Sequence, residues 1–475
     1  MERQQPSFLV SSLLMVVIIT LLGISILHYE VAPQIPIVFA AVLVCLYGLT
    51  LGYKWKELER AMAKGIFSGI PAILILSLIG MLIGVWILSG TVPTITYYSL
   101  TFLSPDFFLV STVLICSVTA LVTGSSWSAM GTVGVALMGA AYGLNVSPAM
   151  TAGAIVCGAM FGDKLSPLSD TTNLASATAK VNIFEHIKHM LWTTIPSLLI
   201  TLIIFGVLGW STSQNVELDQ LASMLATLNE EFTISPLTLL SPLLIIILAV
   251  RKVSPIPSLV IGLFVAVITA FFTSPGTTLG QIMATAHFGY TAKTGVESID
   301  KLLSLGGLSS MMFGVSLILI ALSLGGLIKE MRLAEAILLG LKGFLTKKGN
   351  VIVTTVLSCF GINAAVGEQY LSIVLPGQLL ESSYKQVGLH PKNLSRTLED
   401  AGTIMHALIP WGVTGAFIMT TLGVGAEYVM FTFIGFISPI IAIIYGYTGF
   451  TLTPLPPEGQ QVQIDESPDP KVAQG

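Results

Sequence analysis

The sequence contains little charge. Only 10% of its 475 residues are Asp, Glu, Lys or Arg, whereas soluble domains carry about a quarter. Hydrophobic residues make up 53% of the chain, and the mean hydropathy is +0.87. At about 20 residues per membrane-spanning helix, the chain has room for on the order of a dozen spans. The composition excludes a chain built of soluble domains and predicts an all-α polytopic membrane protein in a lipid bilayer.

Motifs of several other functions are also missing. The four cysteines lie in apolar stretches without metal-ligand spacing, so we interpret them as packing residues. No Gly-rich phosphate loop ending in Lys-Ser/Thr is present, which argues against ATP-driven transport by this chain. No basic run is long enough to indicate nucleic-acid binding. We predict no enzymatic activity and no cofactor, so ion gradients must supply the energy for transport.

Basic residues are concentrated in alternate loops. The first apolar run spans about Phe8 to Leu27 without a cleavage site, so it is predicted to be a retained helix rather than a signal peptide. Four basic residues between positions 54 and 64 follow the second span, on a predicted interfacial helix. Lys and Arg favour the cytoplasmic side of a membrane. Both termini are therefore predicted to be cytoplasmic.

The two halves of the chain share a pattern at an offset of 243 residues. The aligned positions include Gly124 with Gly367, Trp127 with Tyr370, Asp163 with His406, and Pro167 with Pro410. Each half contains a full span, a Gly-rich polar segment, a further span and a Pro-broken helix. The segment from Gly124 to Gly134 is predicted to be re-entrant or unwound, because it is too polar for lipid exposure.

This pattern predicts the domain organisation. Residues 1–210 and 236–451 form two repeats, residues 211–235 form an acidic external linker, and residues 452–475 form a disordered cytoplasmic tail. The charge bias makes the first helices of the two repeats cross the membrane in opposite directions. Inverted repeats with paired broken helices are typical of secondary transporters that expose a midplane site to each side in turn.

A polar segment with the sequence GDKLSPLSDTTN interrupts apolar sequence from Gly162 to Asn173. Ionisable groups at membrane depth are costly and mark ion pathways. Pro167 cannot donate a helical hydrogen bond and disfavours helix at Ser166, so a helix should break here. The freed carbonyls and the side-chain oxygens form an oxygen-only ligand set that suits a hard cation. A polar loop on the membrane surface is the alternative.

These twelve residues resemble the signature of the NhaC-type sodium/proton antiporters, and the similarity in length and span spacing extends over nearly the whole chain. The resemblance implies a scaffold domain, a mobile transport domain with re-entrant hairpins, and a homodimer. The family also includes members that resemble sodium-lactate/malate-proton exchangers. An exchanger of small carboxylates such as malate and lactate is therefore the alternative function.

Exchange of Na⁺ for H⁺ requires a group that binds either ion but not both. Burial penalises the charged form of a carboxylate, so a buried carboxylate can hold a proton until a cation displaces it. Asp163 and Asp170 are the predicted carboxylates, although Asp163 could instead pair with Lys164 and Asp170 could cap the next helix. The predicted neutral ligands are Ser166, Ser169, Thr171, Thr172 and Asn173.

The second half supplies further candidates. Asn363, Glu368 and Gln369 lie in the segment that aligns with the Gly-rich segment of the first half. Glu368 is predicted to be buried, either as a second ion or proton site or as a hydrogen-bond anchor. Weaker candidates for lining the cavity are Ser125, Ser126 and Trp127.

Asp400 and His406 lie in the helix that approaches Pro410. Asp400 is a candidate ion ligand, but Arg396 lies four residues earlier on the same helix face, so the two could neutralise each other. Histidine titrates near neutral pH, which makes His406 a candidate pH sensor; a structural histidine is the alternative.

Together these features predict a secondary antiporter that exchanges cytoplasmic Na⁺ for external H⁺. In the alternative organic-acid exchanger, Lys164 would bind the anion if it is not committed to Asp163. An ion channel is a third possibility, and it would require a continuous pore.

Overall fold

The computed structural model describes residues 4–29, 31–102, 104–213, 218–296, 299–300 and 303–456. The described residues are helical, and the β contact among them is a single isolated bridge between Leu389 and Pro454. The helices of the first half are α1 Phe8–Leu27, α2 Gln34–Thr50, α3 Trp55–Ser68, α4 Ile70–Leu88, α5 Thr91–Phe102, α6 Phe108–Thr123, α7 Ser126–Ala129, α8 Val135–Gly143, α9 Pro148–Leu165, α10 Asp170–Thr178 and α11 Ile183–Ser213.

The second half is also helical, and its first helix, α12, connects it to the first half. Its helices are α12 Leu218–Glu231, α13 Leu240–Val250, α14 Pro255–Thr273, α15 Leu279–Phe288, α16 Met312–Glu330, α17 Leu333–Gly340, α18 Lys348–Val366, α19 Gln369–Gln386, α20 Pro391–Leu398, α21 Val413–Leu422 and α22 Phe433–Thr448. Two π-helical turns interrupt the α-helices, at Met130–Gly134 and at Glu399–Thr403.

The apolar helices match a membrane protein. Within the described ranges, six helices are long and apolar enough to cross a membrane, or as many as eight if each of two bent helix pairs counts as one span. Three shorter apolar helices, α2, α6 and α22, add to them. The prediction of an all-α polytopic membrane protein is confirmed.

Aligned positions in the two halves share the same backbone geometry. Gly124 and Gly367 have φ of 68° and 70°, and each ends a helix in the left-handed conformation that glycine tolerates best. At the second break, Ser166 N donates to the carbonyl of Asp163 at 3.0 Å, and in the other half Ile409 N donates to the carbonyl of His406 at 3.2 Å. The offset of 243 residues therefore aligns two breaks with the same hydrogen-bond pattern.

The predicted break at Pro167 is present, because α9 ends at Leu165 and Ser166 is extended. Of the two alternatives predicted for Gly124 to Gly134, re-entrant or unwound, unwinding of the whole segment is wrong. Only Gly124 and Ser125 leave the helix, and the Ser125 side chain then accepts a hydrogen bond from Ser128 N and starts α7. Ser125, one of the polar residues that indicated unwound chain, instead caps a helix.

The segment predicted as an acidic linker contains a helix. Residues 214–217 lie outside the described residues, and α12 follows them and packs against α5. Met224 and Leu228 are buried at i and i+4, whereas Glu230 and Glu231 are exposed. The acidic residues suggested a loop because they occupy the outer face of an amphipathic helix.

Most of the predicted disordered tail lies outside the described residues, which end at 456. The described beginning of that tail is ordered. Thr453 N donates to Asn393 Oδ1 at 3.1 Å, and the Thr453 carbonyl accepts from His390 N at 3.0 Å. These contacts hold the chain against the start of α20.

Close contact between α6 and α9 positions the polar segment. A Cβ atom added to Gly158 would lie 2.2 Å from the carbonyl oxygen of Val113, and one added to Gly162 would lie 2.1 Å from that of Ser117. Both neighbours are backbone atoms, which cannot move away as a flexible side chain can. Small residues at these positions let the two helices pack backbone to backbone.

Substitution of Gly158 tests this packing. Gly158→Ala should separate α6 from α9 and lower stability by about 1–3 kcal/mol, the usual cost of overpacking. The matched control is Gly361→Ala, because a Cβ atom at Gly361, within α18, has no heavy atom within 4 Å. The measurement is the apparent melting temperature in detergent. A melting temperature that is unchanged or raised in Gly158→Ala would contradict the backbone contact.

Candidate functional site

A cavity of about 570 Å³ lies between two groups of helices. One wall comes from the junction of α3 and α4, from the link between α13 and α14, and from Leu322 of α16. The other wall holds the polar breaks, and its lining includes residues 123–128, Asp163, residues 167–168, Asp170, Thr171, residues 368–370, His406 and Thr414. The breaks of both halves, which the sequence predicted separately, thus meet at one cavity.

Asp163 is the buried carboxylate of this cavity. It is 5% exposed, and its Oδ2 accepts a hydrogen bond from Ser126 N at 3.0 Å. Its Oδ1 has no hydrogen-bond partner among the described residues, although it is buried. A charged oxygen without a partner is costly away from water. This oxygen is therefore free to carry a proton or to bind a cation that enters the cavity.

Asp170 is exposed at the same cavity and is already hydrogen-bonded. Its Oδ2 accepts from the Tyr370 hydroxyl of the other half, and its Oδ1 accepts from Thr171 N at 2.9 Å. The alternative that Asp170 caps α10 is wrong, because the cap is Ser169, whose hydroxyl accepts from Thr172 N at 3.4 Å. Of the two predicted carboxylates, Asp163 has the free oxygen.

The predicted neutral ligands divide into two groups. Thr171 lines the cavity, as do Ser125, Ser126 and Trp127, whose ring stacks on Phe417 at 4.2 Å.

The other four predicted ligands do not line the cavity. Ser169 caps α10, and Ser166 donates to the carbonyl of Leu121 at 2.8 Å. Thr172 donates to the carbonyl of Lys164 at 3.0 Å, and Asn173 donates to that of Ser169 at 2.6 Å. In this structure these side chains satisfy carbonyl and N–H groups around the break rather than face the cavity.

Lys164 and Asp400 form a fully buried ion pair that joins the two halves. The same oxygen of Asp400, Oδ1, also accepts from Thr193 Oγ1 at 2.9 Å and from Ser438 Oγ at 2.8 Å. Lys164 is thus the counter-charge of Asp400, and the alternative pair of Asp163 with Lys164 is not formed. Asp400 and Lys164 lie behind the cavity wall rather than along it.

The alternative pair of Arg396 with Asp400 is not formed either. Arg396 Nη1 donates to Thr451 Oγ1 at 3.0 Å, and the guanidinium lies 5.9 Å from the centre of the Tyr445 ring. One helical turn separates the two side chains, but their partners lie on different elements.

Glu368 anchors the start of α19 at the edge of the cavity. Its carboxylate accepts from Tyr370 N at 2.9 Å and from Leu371 N at 2.8 Å, which makes it the helix cap. Asn363, also predicted as a ligand, donates through Nδ2 to the carbonyl of Gly402 at 2.9 Å and does not line the cavity. The structure therefore gives Glu368 the anchoring role that the sequence left as an alternative.

His406 lines the cavity between the Gly367 carbonyl and the Gln369 side chain. Its Nε2 lies 3.2 Å from the carbonyl oxygen of Gly367, and its Nδ1 lies 3.3 Å from the side-chain amide of Gln369, which can donate or accept. A carbonyl oxygen only accepts, so Nε2 carries a proton. At the offset of 243, Gln369 aligns with Ser126 and His406 with Asp163. In each half, the first residue of the helix that follows the left-handed glycine therefore contacts the ionisable residue. Ser126 contacts Asp163, and Gln369 contacts His406.

Two functional candidates were missed by the sequence analysis. Tyr370 was used only for alignment, yet its hydroxyl links α19 to Asp170. Glu399 received no role, yet it is fully buried at the start of a π-helical turn, and neither of its oxygens has a hydrogen-bond partner in the described structure. The available signal was the pair of adjacent acids in a chain with so little charge.

The sequence of this chain is similar to those of known antiporters. The profile of the Na⁺/H⁺ antiporter family matches residues 158–450, which include both broken segments. The Na⁺/H⁺ antiporter NhaC of Alkalihalophilus pseudofirmus is 46% identical over 444 residues, which cover 93% of this chain and 95% of that protein. The Na⁺/H⁺ antiporter NhaC of Bacillus subtilis is 43% identical over 424 residues, 89% of this chain and 93% of that protein.

A relative named for a different exchange is also similar. The malate-2H⁺/Na⁺-lactate antiporter of Bacillus subtilis is 38% identical over 406 residues, which cover 85% of this chain and 86% of that protein. All three relatives are antiporters. Because the family profile covers more than half of the chain and the relatives match most of its length, the chain belongs to the Na⁺/H⁺ antiporter family.

Proposed function

We propose that this chain exchanges cytoplasmic Na⁺ for external H⁺ across a bacterial cell membrane, and that the two ions compete at Asp163. The observation that carries the proposal is that Asp163 lines the cavity and that its buried Oδ1 has no hydrogen-bond partner among the described residues. Either ion can satisfy this oxygen, but a bound proton occupies the carboxylate that Na⁺ needs. The exclusion of one ion by the other couples their movements.

The cavity supplies further oxygens for a hard cation. Hydroxyl-bearing side chains line it next to Asp163, namely Ser125, Ser126, Ser128, Thr171 and Thr414. The left-handed turn at Gly124 adds backbone that is not engaged within a regular helix. The oxygens next to Asp163 suit Na⁺ better than a transition metal.

The two walls of the cavity support alternating access as part of this proposal. Its mouth contains Ser68, at the end of the basic helix α3, and Lys252, in the link between α13 and α14. Basic loops mark the cytoplasmic side, so the proposed conformation is open to the cytoplasm. The wall of α3, α4, α13, α14 and α16 would act as scaffold, and the wall with the breaks would move. Cytoplasmic termini, inverted repeats and a homodimer complete the proposal.

The organic-acid alternative is less well supported by the site. A carboxylate substrate would need a positive group, and Lys164 is already paired with Asp400. Among the described cavity residues the remaining basic side chains are Lys252, at the mouth, and His406. The similarity to the malate-2H⁺/Na⁺-lactate antiporter keeps this alternative as an outcome of the second experiment below.

Neutralisation of the carboxylates tests the ion site. Asp163→Asn should reduce Na⁺-dependent proton movement in proteoliposomes to the level of protein-free vesicles, because an amide does not exchange a proton near neutral pH and carries no negative charge for Na⁺ to neutralise. Asp170→Asn should reduce it less, since Asp170 is already bonded to Tyr370. Glu381→Gln is the matched control, on the surface beside Lys385. Antiport that persists in the Asp163→Asn, Asp170→Asn double variant would remove this site from the proposal.

Substrate selection tests the choice between the two functions. An imposed pH gradient in proteoliposomes should dissipate on addition of NaCl, but not of KCl or choline chloride, without any carboxylate present. The assay is then repeated with malate and lactate on opposite sides of the membrane. A response to Na⁺ that appears only when a carboxylate is supplied would make the organic-acid exchanger the correct function.

Removal of Lys164 tests the buried pair. Lys164→Met should leave Asp400 charged and uncompensated and destabilise the chain by about 3–5 kcal/mol. The double variant Lys164→Met, Asp400→Asn should recover part of that stability, because no buried charge remains. Lys180→Met is the control, since its pair with Glu381 is on the surface. Melting temperatures in detergent that are equal for Lys164→Met and the control would refute the structural role of the pair.

A further inference from the structure

The helix α3 connects two apolar helices, α2 and α4, and is itself strongly charged. Its basic residues, with the one that precedes it, are Lys54, Lys56, Arg60 and Lys64. Leu58 and Ala61 are buried, and a Cβ atom added to Gly65 would lie 2.0 Å from the carbonyl oxygen of Leu322 on α16. One face of α3 therefore packs on α16. A charged amphipathic helix between two apolar helices lies at the membrane surface.

The opposite face of α3, which we call the basic face, consists of Lys56, Arg60 and Phe67. At 3.6 residues per turn these three residues lie within about 40° of one another around the helix axis. All three are exposed, and neither Lys56 nor Arg60 forms an ion pair with another described residue. By contrast, Lys64 is paired, with its Nζ 3.5 Å from a carboxylate oxygen of Glu330. The two basic side chains of this face are therefore available to a partner.

Apolar side chains continue the exposed surface from α3 into α4. Phe67, near the end of α3, is 73% exposed, and Ile70 and Leu74 of α4 are 40% and 46% exposed. Ile70 and Leu74 are four residues apart, so they lie on the same side of α4. Because α4 is long and apolar enough to cross a membrane, these side chains face lipid. The surface thus changes from basic to apolar where the chain enters the bilayer.

We propose that the basic face binds anionic phospholipid, with the headgroup at Lys56 and Arg60 and the acyl chains along Phe67 and the start of α4. Residues 54–64 include four basic and two acidic side chains, a net charge of +2. Anionic headgroups attract basic segments next to a membrane, whereas a zwitterionic headgroup has no net charge to offer. Trp55, at the start of α3, is 57% exposed, and tryptophan is common at membrane interfaces.

The bound lipid would also support the wall of the cavity. Ser68 and Gly69, which follow Phe67 directly, line the cavity, and so does Leu322, whose carbonyl oxygen lies against Gly65. Lipid bound along α3 therefore holds this wall in place. We expect antiport to be faster in vesicles that contain anionic lipid. This consequence rests on the proposed exchange of Na⁺ for H⁺, whereas the binding of lipid does not.

The fluorescence of Trp55 tests the binding, because Trp55 precedes Lys56 in α3. The full chain is reconstituted in phosphatidylcholine vesicles that contain a fixed fraction of phosphatidylglycerol or phosphatidylcholine with brominated acyl chains, which quench tryptophan. The signal of Trp55 is the difference between the chain and its Trp55→Phe variant. We expect brominated phosphatidylglycerol to quench this signal more strongly. Its relative affinity should be higher on the order of tenfold, since each basic residue near an anionic surface contributes about fivefold.

Charge variants show whether the basic face causes this preference. Lys56→Gln, Arg60→Gln should be quenched equally by the two brominated lipids, whereas Lys56→Arg, Arg60→Lys, which keeps both charges, should retain the preference. The matched control is Lys347→Gln, Lys348→Gln, which removes two exposed basic residues at the start of α18 and should also retain it. Equal quenching of the wild-type signal by both lipids would overturn the proposal. So would a preference that persists in Lys56→Gln, Arg60→Gln.

A transport assay separates this inference from the proposed function. Antiport by the wild type should be faster in vesicles with phosphatidylglycerol than in phosphatidylcholine alone, and Lys56→Gln, Arg60→Gln should lose most of that gain. A wild type without antiport in either vesicle would overturn the proposed function, while the quenching of Trp55 still decides whether lipid binds. A wild type with equal antiport rates in both vesicles would overturn the support of the cavity by lipid.

Discussion

The buried pair of Lys164 and Asp400 determines how the two broken segments face each other. Both side chains are fully excluded from solvent, so each charge depends on the other and on the hydroxyl groups of Thr193 and Ser438. The pair fixes the rotation of α9 and of the π-helical turn about their axes. Because successive residues of a helix point about 100° apart, Asp163 must then face a different direction from Lys164. That direction is the cavity.

Each member of the ion pair fixes the direction of the residue beside it in the sequence. Each comes from a doublet of adjacent ionisable residues, Asp163 with Lys164 and Glu399 with Asp400. One residue of each doublet enters the ion pair, and the other is a buried carboxylate that forms no ion pair in the described structure. The ion pair thus lies next to two carboxylates that form no ion pair, Asp163 and Glu399. Because the pair is rigid, it maintains the orientation of these two carboxylates.

Much of the fold could be predicted from the sequence, because membrane spans depend on composition and length. The bounds of α1 agree with the apolar run, the break at Pro167 follows from proline geometry, and the offset of 243 residues aligns two matching breaks. The helix α12 was missed because its acidic residues lie on an exposed face and its buried face is short. The composition of the segment is therefore similar to that of a loop. Sequence patterns predict the structure of a segment correctly only when its polar residues have one possible structural role.

The site was harder to predict, because its contacts join distant parts of the chain. By spacing, Lys164 could pair with Asp163, and Asp400 could pair with Arg396. Lys164 instead pairs with Asp400, which is 236 residues away in the sequence. The hydroxyl groups of Ser166 and Thr172 were predicted to bind ions because polar groups in a membrane are costly, yet the freed backbone groups needed them first. Sequence alone does not distinguish a ligand from a residue that satisfies the backbone.

The separation of Lys164 from Asp400 along the chain also affects biogenesis. The ribosome delivers α9 to the membrane while the segment that holds Asp400 has not yet been made, so the lysine lacks its counter-charge during much of synthesis. An unpaired lysine is costly at membrane depth. The end of α9 must therefore stay near water or the translocation machinery until the second half inserts. The proposed ion site is then completed among the last steps of assembly, and a truncated first half cannot form it.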